Sequence, residues 1–197
     1  MLHKTSGIVL HTTKYSETSL IVKLYTRDFG MQSYMINGVR NKKSKNKASL
    51  FQPLALVDLI ITGNEKNSLQ RISDITLHLP YEDIPYNIIK SSIALFLNEI
   101  LLKSLREQHP DEDLFLFLKN SLSILDLHHE NCANFHISFM LQLSRYLGFY
   151  PDQNRPEGTD YFDMKNGVFT HYKPENWLYL SPPHTGTFYQ QIGSETC

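Results

Sequence analysis

The chain has 197 residues with a net charge of -1, and its 41% hydrophobic and 20% charged residues are typical of a soluble globular protein rather than a disordered one. No apolar run reaches the roughly 18 residues of a membrane span, and the first residues show no secretory signal, so we expect a cytoplasmic protein with no membrane partner. The two cysteines, Cys132 and Cys197, form no CxxC pair, which excludes a disulfide framework and a cysteine-only zinc site.

The charge is unevenly distributed along the chain. Eleven basic and five acidic residues precede Pro80, whereas eight basic and fifteen acidic residues follow from there onward, so the two parts carry about +6 and about -7. This asymmetry favours an anionic ligand on the first part. Ordinary fluctuation of charge along a chain is the alternative.

The first part of the chain reads as strands. Its segments alternate in polarity or are continuously apolar, are rich in β-branched residues, and are separated by short polar turns. The predicted strands are residues 6–13, 18–27, 31–39, 53–63 and 69–79. Five strands with one long polar loop predict a small closed or nearly closed barrel, which we assign to a domain of residues 1–80.

The pattern becomes helical after a predicted linker at residues 80–85. Predicted helices are residues 86–108, 109–129 and 130–149, and the first is apolar all round its middle, which predicts central burial. An Asn-Gly pair predicts a hairpin at residues 160–172. The fold class is therefore α+β, with a second domain of residues 81–197. Its tail from residue 181 has no clear element, so either the chain is incomplete at its C-terminus or a last helix lies elsewhere.

No catalytic motif is present: GxGxxG, GxxxxGK[ST], GxSxG and HExxH are all missing from the sequence. A metal-dependent enzyme that uses His128, His129 and Cys132 is one alternative, but a solvated helix end and a small buried residue are the ordinary interpretation of these side chains. We therefore expect no enzyme activity, no metal and no cofactor.

The clearest binding signal is the segment GVRNKKSKNKAS at residues 38–49, which contains five cations and no acid and is called the basic segment below. Lysines on a loop suit phosphates, and a barrel with cationic loops and exposed aromatics is a platform for single-stranded nucleic acid. A solvated loop and core aromatics are the alternatives. The candidate nucleic-acid contacts, to DNA or RNA, are Arg40, Lys42, Lys43, Lys45 and Lys47, with Tyr15, Arg27, Phe29 and Tyr34.

Several motifs in order resemble the N-terminal pattern of the RecO family of DNA-repair mediators. The pattern has a G-x-V-L opening, a Y-x-E-x-S turn, a strand ending in T-x-x-x-G and a G-x-R that enters a basic loop. Here these positions are Gly7, Val9 and Leu10, then Tyr15, Glu17 and Ser19, then Thr26 and Gly30, then Gly38 and Arg40. LFQPLALVDL and LQLSRYLGFYPD resemble later family segments.

The resemblance implies an OB-fold followed by a helical domain. It also implies binding to single- and double-stranded DNA, annealing of complementary strands, and loading of RecA, with RecR and the acidic tail of the single-stranded-DNA-binding protein as partners. Many relatives carry a four-cysteine zinc site after the L-G-x-x-P helix, which this sequence lacks, so we expect the hairpin to be held by Tyr161, Phe162, Val168 and Phe169. A further helical segment usual in the family is not recognisable.

In the helical part, a groove for the acidic and apolar partner tail needs a cation beside apolar residues. Arg145 with Leu141 and Phe149 is our candidate, whereas Lys90 and Lys103 are weaker candidates that we expect on a solvated face. The remaining alternative is an adaptor that binds only protein, with its basic segment serving an acidic partner.

Overall fold

The computed structural model describes residues 2–37, 50–62, 70–105, 109–128 and 132–193. The chain divides into two compact units, Met1–Ala133 and Asn134–Cys197. Within the described ranges the first unit contains five strands and two helices, and the second contains two helices and three short strands, as an α+β fold requires. Among those helices, none is long and apolar enough to cross a membrane.

The predicted strands all form, with shifted ends. They are β1 Leu2–Lys14, β2 Leu20–Thr26, β3 Gly30–Ile36, β4 Leu56–Thr62 and β5 Gln70–Leu77. The first strand begins well before the predicted residue 6 because its first half has a partner of its own. Leu2–Ile8 pairs with β4, whereas Gly7–Lys14 pairs with β2.

These strands close into a barrel in the order β1-β2-β3-β5-β4, with β4 returning to β1. A register shift between Val9 and His11 marks a bulge in β1, and bulges bend a strand so that it can serve two neighbours. All pairs are antiparallel except β3 with β5, which runs parallel from Tyr34↔Gln70 to Ile36↔Ile72. This closed five-stranded topology is an OB-fold, which confirms the predicted barrel.

The barrel interior is filled by alternate residues of the strands, including Val22, Leu24 and Ile61. Gly7 is required where strands approach closely, since a Cβ there would lie 3.2 Å from Leu59 Cδ1. Tyr34 is completely buried in the same core, and its hydroxyl donates to Gln32 Oε1 at 3.2 Å. Burial raises the pKa of Tyr34 to about 12.

Two helices complete the first unit: α1 Ile88–Ser104, capped by Asn87, and α2 Glu112–Leu127, capped by Asp111. The prediction that α1 is buried centrally, on all sides of its apolar middle, is wrong. The helix packs one face against β1 and leaves the other in water, with Ile88 80% and Leu95 59% exposed. A continuous apolar run in the sequence does not show how many sides of a helix are covered by other parts of the protein.

The prediction that Lys90 lies on a solvated face is also wrong. Lys90 is 2% exposed and its Nζ lies 2.7 Å from Asp83 Oδ2 and 2.7 Å from the carbonyl of Asp126. Burial of an ammonium group is tolerated when its charge and its hydrogen bonds are matched in this way. Lys103 is exposed, as expected, and pairs with Glu99 at 3.0 Å.

The predicted linker at residues 80–85 is folded onto the end of α2. The Asp126 carboxylate accepts hydrogen bonds from the backbone N–H groups of Glu82, Asp83 and Ile84 at 2.8, 3.0 and 2.9 Å. The barrel and the first two helices therefore share one compact unit. A domain boundary at residue 80 stays a prediction.

The second unit contains α3 Phe135–Tyr146, β6 Tyr161–Asp163, β7 Val168–Thr170, β8 Tyr179–Leu180 and α4 His184–Gly193. The hairpin β6–β7 forms as predicted, with Gly167 at a φ of +70° closing its turn. Strand β8, which adds to β6, was not predicted. The tail, for which no clear element was predicted, contains α4. This helix was missed because its apolar residues that face the core, Phe188 and Ile192, span only about one helical turn.

Packing of the hairpin agrees with the prediction for its two phenylalanines. The rings of Phe162 and Phe169 are both buried with centroids 4.9 Å apart, and Phe188 of α4 lies 4.7 Å from Phe162. Val168 was expected to share this core but is 38% exposed, since it points to the other side of the strand from Phe169. Tyr161 is half-buried against Tyr179.

Candidate nucleic-acid interface

An outward-facing surface crosses four neighbouring strands of the barrel. The register aligns His11 of β1 with Lys23 of β2 and Ser33 of β3, and it aligns Ile21 of β2 with Met35 of β3 and Arg71 of β5. Residues between them in sequence point into the core, so these six share the outer face. This surface is called the β2–β3 face, and its members are His11, Ile21, Lys23, Ser33, Met35 and Arg71.

Two cations make the β2–β3 face suitable for phosphates. Lys23 is half-buried at its centre and Arg71 is exposed at its edge. Among the described residues no ion pair occupies the side-chain nitrogens of Lys23 or Arg71. Neither residue was predicted as a contact, because alternation places Lys23 outward but only the strand register shows which residues lie beside it.

Helix α2 limits the β2–β3 face at one end. Tyr25 continues the outward row of β2, but Phe115 of α2 stacks on it with ring centroids 6.5 Å apart, and its hydroxyl donates to the Asp111 carbonyl at 3.4 Å. Burial, together with the Asp111 charge, raises the pKa of Tyr25 to about 12. The open surface therefore runs from this covered tyrosine toward the β1–β2 turn.

Arg27 was predicted to contact nucleic acid, and the structure places it against α2 instead of on the open face. Its guanidinium forms an ion pair with Glu112, and both side chains are about half exposed. A phosphate at this position would compete with the Glu112 carboxylate. Phe29 is half-buried against the barrel core, and its ring meets that of His3 in a T-shaped arrangement with centroids 5.7 Å apart.

The two predicted tyrosine contacts have opposite surroundings. Tyr15 lies in the turn after β1, at the end of the β2–β3 face remote from α2, and is 63% exposed. Tyr34 as a stacking residue is wrong, because its ring is fully enclosed by the barrel core. Alternation in β3 defines two sets of residues, and the set containing Tyr34 and Ile36 turns inward while Met35 turns outward.

The basic segment lies outside the described residues, so its five cations Arg40, Lys42, Lys43, Lys45 and Lys47 stay predictions. The chain enters the segment after Ile36, at the end of β3 beside Met35 of the β2–β3 face. It leaves the segment at Leu50, which is buried in the barrel core. Both ends of the basic segment are therefore attached to the barrel.

A chain of polar side chains joins the barrel to α2. Ser6 Oγ donates to Asp58 Oδ1 at 2.7 Å, His78 Nδ1 lies 2.9 Å from Asp58 Oδ2, and Lys119 Nζ lies 3.1 Å from His78 Nε2. Burial acts to raise the pKa of Asp58, but the hydrogen bonds from Ser6 and His78 and the nearby positive charge outweigh it and lower that pKa. Ser6 bonds the carboxylate and not the imidazole, so this is not a nucleophile–base pair.

The metal alternative finds no support in the described part of the chain. No group of three or more His, Cys, Asp or Glu side chains there could hold an ion. His128 is exposed at the end of α2 and Cys132 is buried, while His129 lies outside the described residues.

The three residues proposed for the partner tail differ in their surroundings. The Arg145 guanidinium lies 4.2 Å from the centre of the Tyr150 ring and donates to its hydroxyl at 3.2 Å. Phe149 is 66% exposed, whereas Leu141 packs on the hairpin core. Arg145 and Phe149 therefore stay accessible candidates, and Leu141 is engaged in the core of the second unit.

An OB-fold barrel with cations on its outer face is typical of proteins that bind nucleic acid strands. Residues 1–81 match the family model "Recombination protein O N terminal" and residues 85–159 match "Recombination protein O C terminal". The chain belongs to the RecO family of DNA repair and recombination proteins.

Individual relatives agree with the family models. The DNA repair protein RecO of Bacteroides fragilis is 42% identical over 96% of this chain and 79% of that protein. The RecO proteins of Phocaeicola vulgatus and Flavobacterium johnsoniae are 39% and 38% identical, over 92% and 85% of this chain and 76% and 70% of their own lengths.

Proposed function

We propose that this protein is a non-enzymatic recombination mediator of the bacterial cytoplasm. It binds single- and double-stranded DNA, anneals complementary strands, and helps load RecA onto strands coated by the single-stranded-DNA-binding protein, with RecR and the tail of that coating protein as partners. The observation that carries the proposal is the open β2–β3 face, where Lys23 and Arg71 point outward next to the start of the basic segment.

The chemistry of this face suits annealing. Cations that contact phosphates bind any sequence, because phosphates carry no base information. Tyr34 is buried, so the strands β2 and β3 hold a DNA backbone without stacking its bases. Two complementary strands held near such cations have their mutual repulsion screened, and their bases are free to pair.

The salt dependence of binding tests this proposal. If four or five cations each neutralise a phosphate, the log-log slope of affinity against salt is about -3 on single strands. Fluorescence anisotropy should give this slope for the wild type and a clearly shallower slope for Lys42/Lys43/Lys45/Lys47→Glu, in which Lys23 and Arg71 of the β2–β3 face still contact phosphates. The matched control is Lys103→Glu on α1, which should bind as the wild type does.

Unchanged affinity and slope in the fourfold variant would remove the basic segment from the DNA-binding surface. Failure of the wild type to bind bare oligonucleotide at physiological salt would instead favour the adaptor that binds only protein.

For the partner tail, Arg145→Ala should weaken binding of a tail peptide. The exposed Lys165→Ala serves as its control, and equal affinity of Arg145→Ala and the parent would remove Arg145.

A further inference from the structure

The connection between β7 and β8, residues 171–178, presents two large aromatic rings to water and is called the aromatic loop below. Tyr172 is 83% exposed and Trp177, the only tryptophan of the chain, is 84% exposed. The aromatic residues of the adjacent hairpin, Phe162 and Phe169, are by contrast buried against each other. The two rings stand five residues apart in one short loop, and grouped exposed apolar side chains mark interaction sites more often than scattered ones do.

Hydrogen bonds at both ends hold the aromatic loop in place. Thr170 Oγ1 donates to the Tyr172 carbonyl at 2.9 Å and accepts from the Tyr172 N–H at 3.1 Å. Asn176 Nδ2 donates to Asp163 Oδ1 at 3.2 Å, and Asn176 Oδ1 accepts from the Leu178 N–H at 2.8 Å. A ligand that contacts the two rings therefore meets a largely ordered backbone, which lowers the entropy cost of binding.

Side chains around the rings favour a nucleobase as the ligand. Lys173 stands between them in sequence, with its Nζ 5.3 Å from the centre of the Tyr179 ring, and Lys165 lies in the β6–β7 turn. That turn is bonded to the loop, since the Met164 N–H donates to the Leu178 carbonyl at 3.0 Å. Aromatic rings interleaved with cations are the composition of a stacking platform for single strands.

We propose that the aromatic loop is a second contact for single-stranded nucleic acid, on which unpaired bases stack against Trp177 and Tyr172. This inference rests on the proposed function only for the class of ligand, a single-stranded nucleic acid, and it adds a binding site outside the barrel. The loop supplies the base contact that β2 and β3 lack, because Tyr34 is buried in the barrel.

The charge around the loop predicts how this contact responds to salt. Lys165 and Lys173 are offset in part by Glu175 and by the bonded Asp163 carboxylate. Few phosphates can be neutralised here, so stacking carries the binding and its salt slope is shallow. Binding at the barrel has a steep slope, and raised salt therefore separates the two contacts.

The emission of Trp177 reports on the loop directly, since no other tryptophan exists in the chain. The experiment titrates the full chain with a thymine oligonucleotide of about twelve nucleotides, within the range of known single-strand site sizes, at low and at raised salt. We expect saturable quenching that persists at raised salt. Tyr172→Ala should weaken the quenching-detected affinity roughly fivefold or more, the lower end of base–aromatic stacking.

Controls separate stacking from damage to the fold. Tyr86→Ala removes a ring that is 85% exposed in the first unit and should leave the quenching curve unchanged. Measured by anisotropy at raised salt, Trp177→Phe should bind within about twofold of the wild type, whereas Trp177→Ala should lose roughly fivefold. Circular dichroism verifies that Tyr172→Ala and Trp177→Ala stay folded.

Each outcome supports or overturns the inference. If anisotropy shows that the oligonucleotide binds while Trp177 emission does not change, the aromatic loop is not a nucleic-acid contact and the proposed function stands. Equal affinity of Tyr172→Ala, Trp177→Ala and wild type at raised salt overturns the inference in the same way. In Lys42/Lys43/Lys45/Lys47→Glu, quenching of Trp177 that persists at raised salt supports the aromatic loop as a contact. If the salt slope of the same variant equals that of the wild type, the proposed role of the basic segment fails while the inference about the loop stands.

Discussion

The barrel and the small sheet of β6, β7 and β8 leave opposite kinds of side chain to water. The barrel encloses Tyr34 and turns Lys23 and Arg71 outward, so its open wall offers charge. The small sheet encloses phenylalanine rings and turns Tyr172 and Trp177 outward, so its surface offers rings. Charge binds a nucleic-acid backbone with a steep salt dependence, and rings bind bases with a shallow one.

The largest effect should come from removing a ring that the small sheet encloses. Phe162→Ala should reduce the free energy of unfolding by about 3 to 5 kcal/mol, because it empties the centre of the Phe162, Phe169 and Phe188 cluster. Tyr172→Ala, which removes an exposed ring from the same unit, should change it by less than about 0.5 kcal/mol. Urea unfolding measures both. Equal losses in the two variants would show that the exposed ring is also part of the core.

A smaller effect, on binding rather than stability, should follow from reversing charge on the barrel wall. Lys23→Glu and Arg71→Glu should each make the single-strand salt slope shallower by about 0.7, for example from about -3 to about -2.3, because each loses one phosphate contact. Lys4→Glu is the matched control, since Lys4 is exposed on the part of β1 that pairs with β4. Anisotropy across a salt series provides the measurement. An equal change in Lys4→Glu would mean that general charge, and not the β2–β3 face, determines binding.

The smallest effect concerns the polar chain between the barrel and α2. The folded state lowers the pKa of Asp58 below the ordinary 3.8, so its contribution to stability is present above that value and is lost as pH falls through the folded pKa. The side chain is 47% exposed, and solvent screening limits the contribution to about 1 kcal/mol or less. Asp58→Asn should therefore be slightly less stable than the wild type at pH 7.

This difference should shrink as the pH falls toward about 3, where the carboxyl group is increasingly protonated in both states. Urea unfolding at several pH values measures it, with Asp160→Asn on the exposed surface of the second unit as control. A difference that stays constant from pH 7 to about pH 3 would contradict the stabilising role of the ionised Asp58.

The barrel was predictable because its strands alternate in polarity and are separated by short turns, which are local signals. The direction in which β3 faces was not predictable, since Met35 and Tyr34 both suit a core and only closure of the barrel decides between them. The burial of helix α1 was predicted wrongly for a related reason: its apolar residues exceed what its neighbours cover, and Ile88 and Leu95 stay in water.

Functional residues that depend on contacts between distant segments were missed or misplaced. Lys23 and Arg71 share one face only through the register of three strands, and Arg27 is withdrawn from the open face by Glu112 on a helix far along the chain. Burial of Lys90 requires the Asp126 carbonyl and the Asp83 carboxylate, neither of which periodicity can place. The exposed Tyr172 and Trp177 follow a hairpin that was predicted, but the sequence of an irregular loop does not show which of its rings are exposed.

The mediator function is tested most directly by the annealing of two complementary labelled strands, bare and coated by the single-stranded-DNA-binding protein. The wild type should accelerate annealing in both cases, and Lys42/Lys43/Lys45/Lys47→Glu should lose most of this acceleration. Tyr34→Phe, which keeps the buried ring and removes only its hydroxyl group, should anneal at the wild-type rate. Annealing by the wild type no faster than without protein would contradict the mediator function.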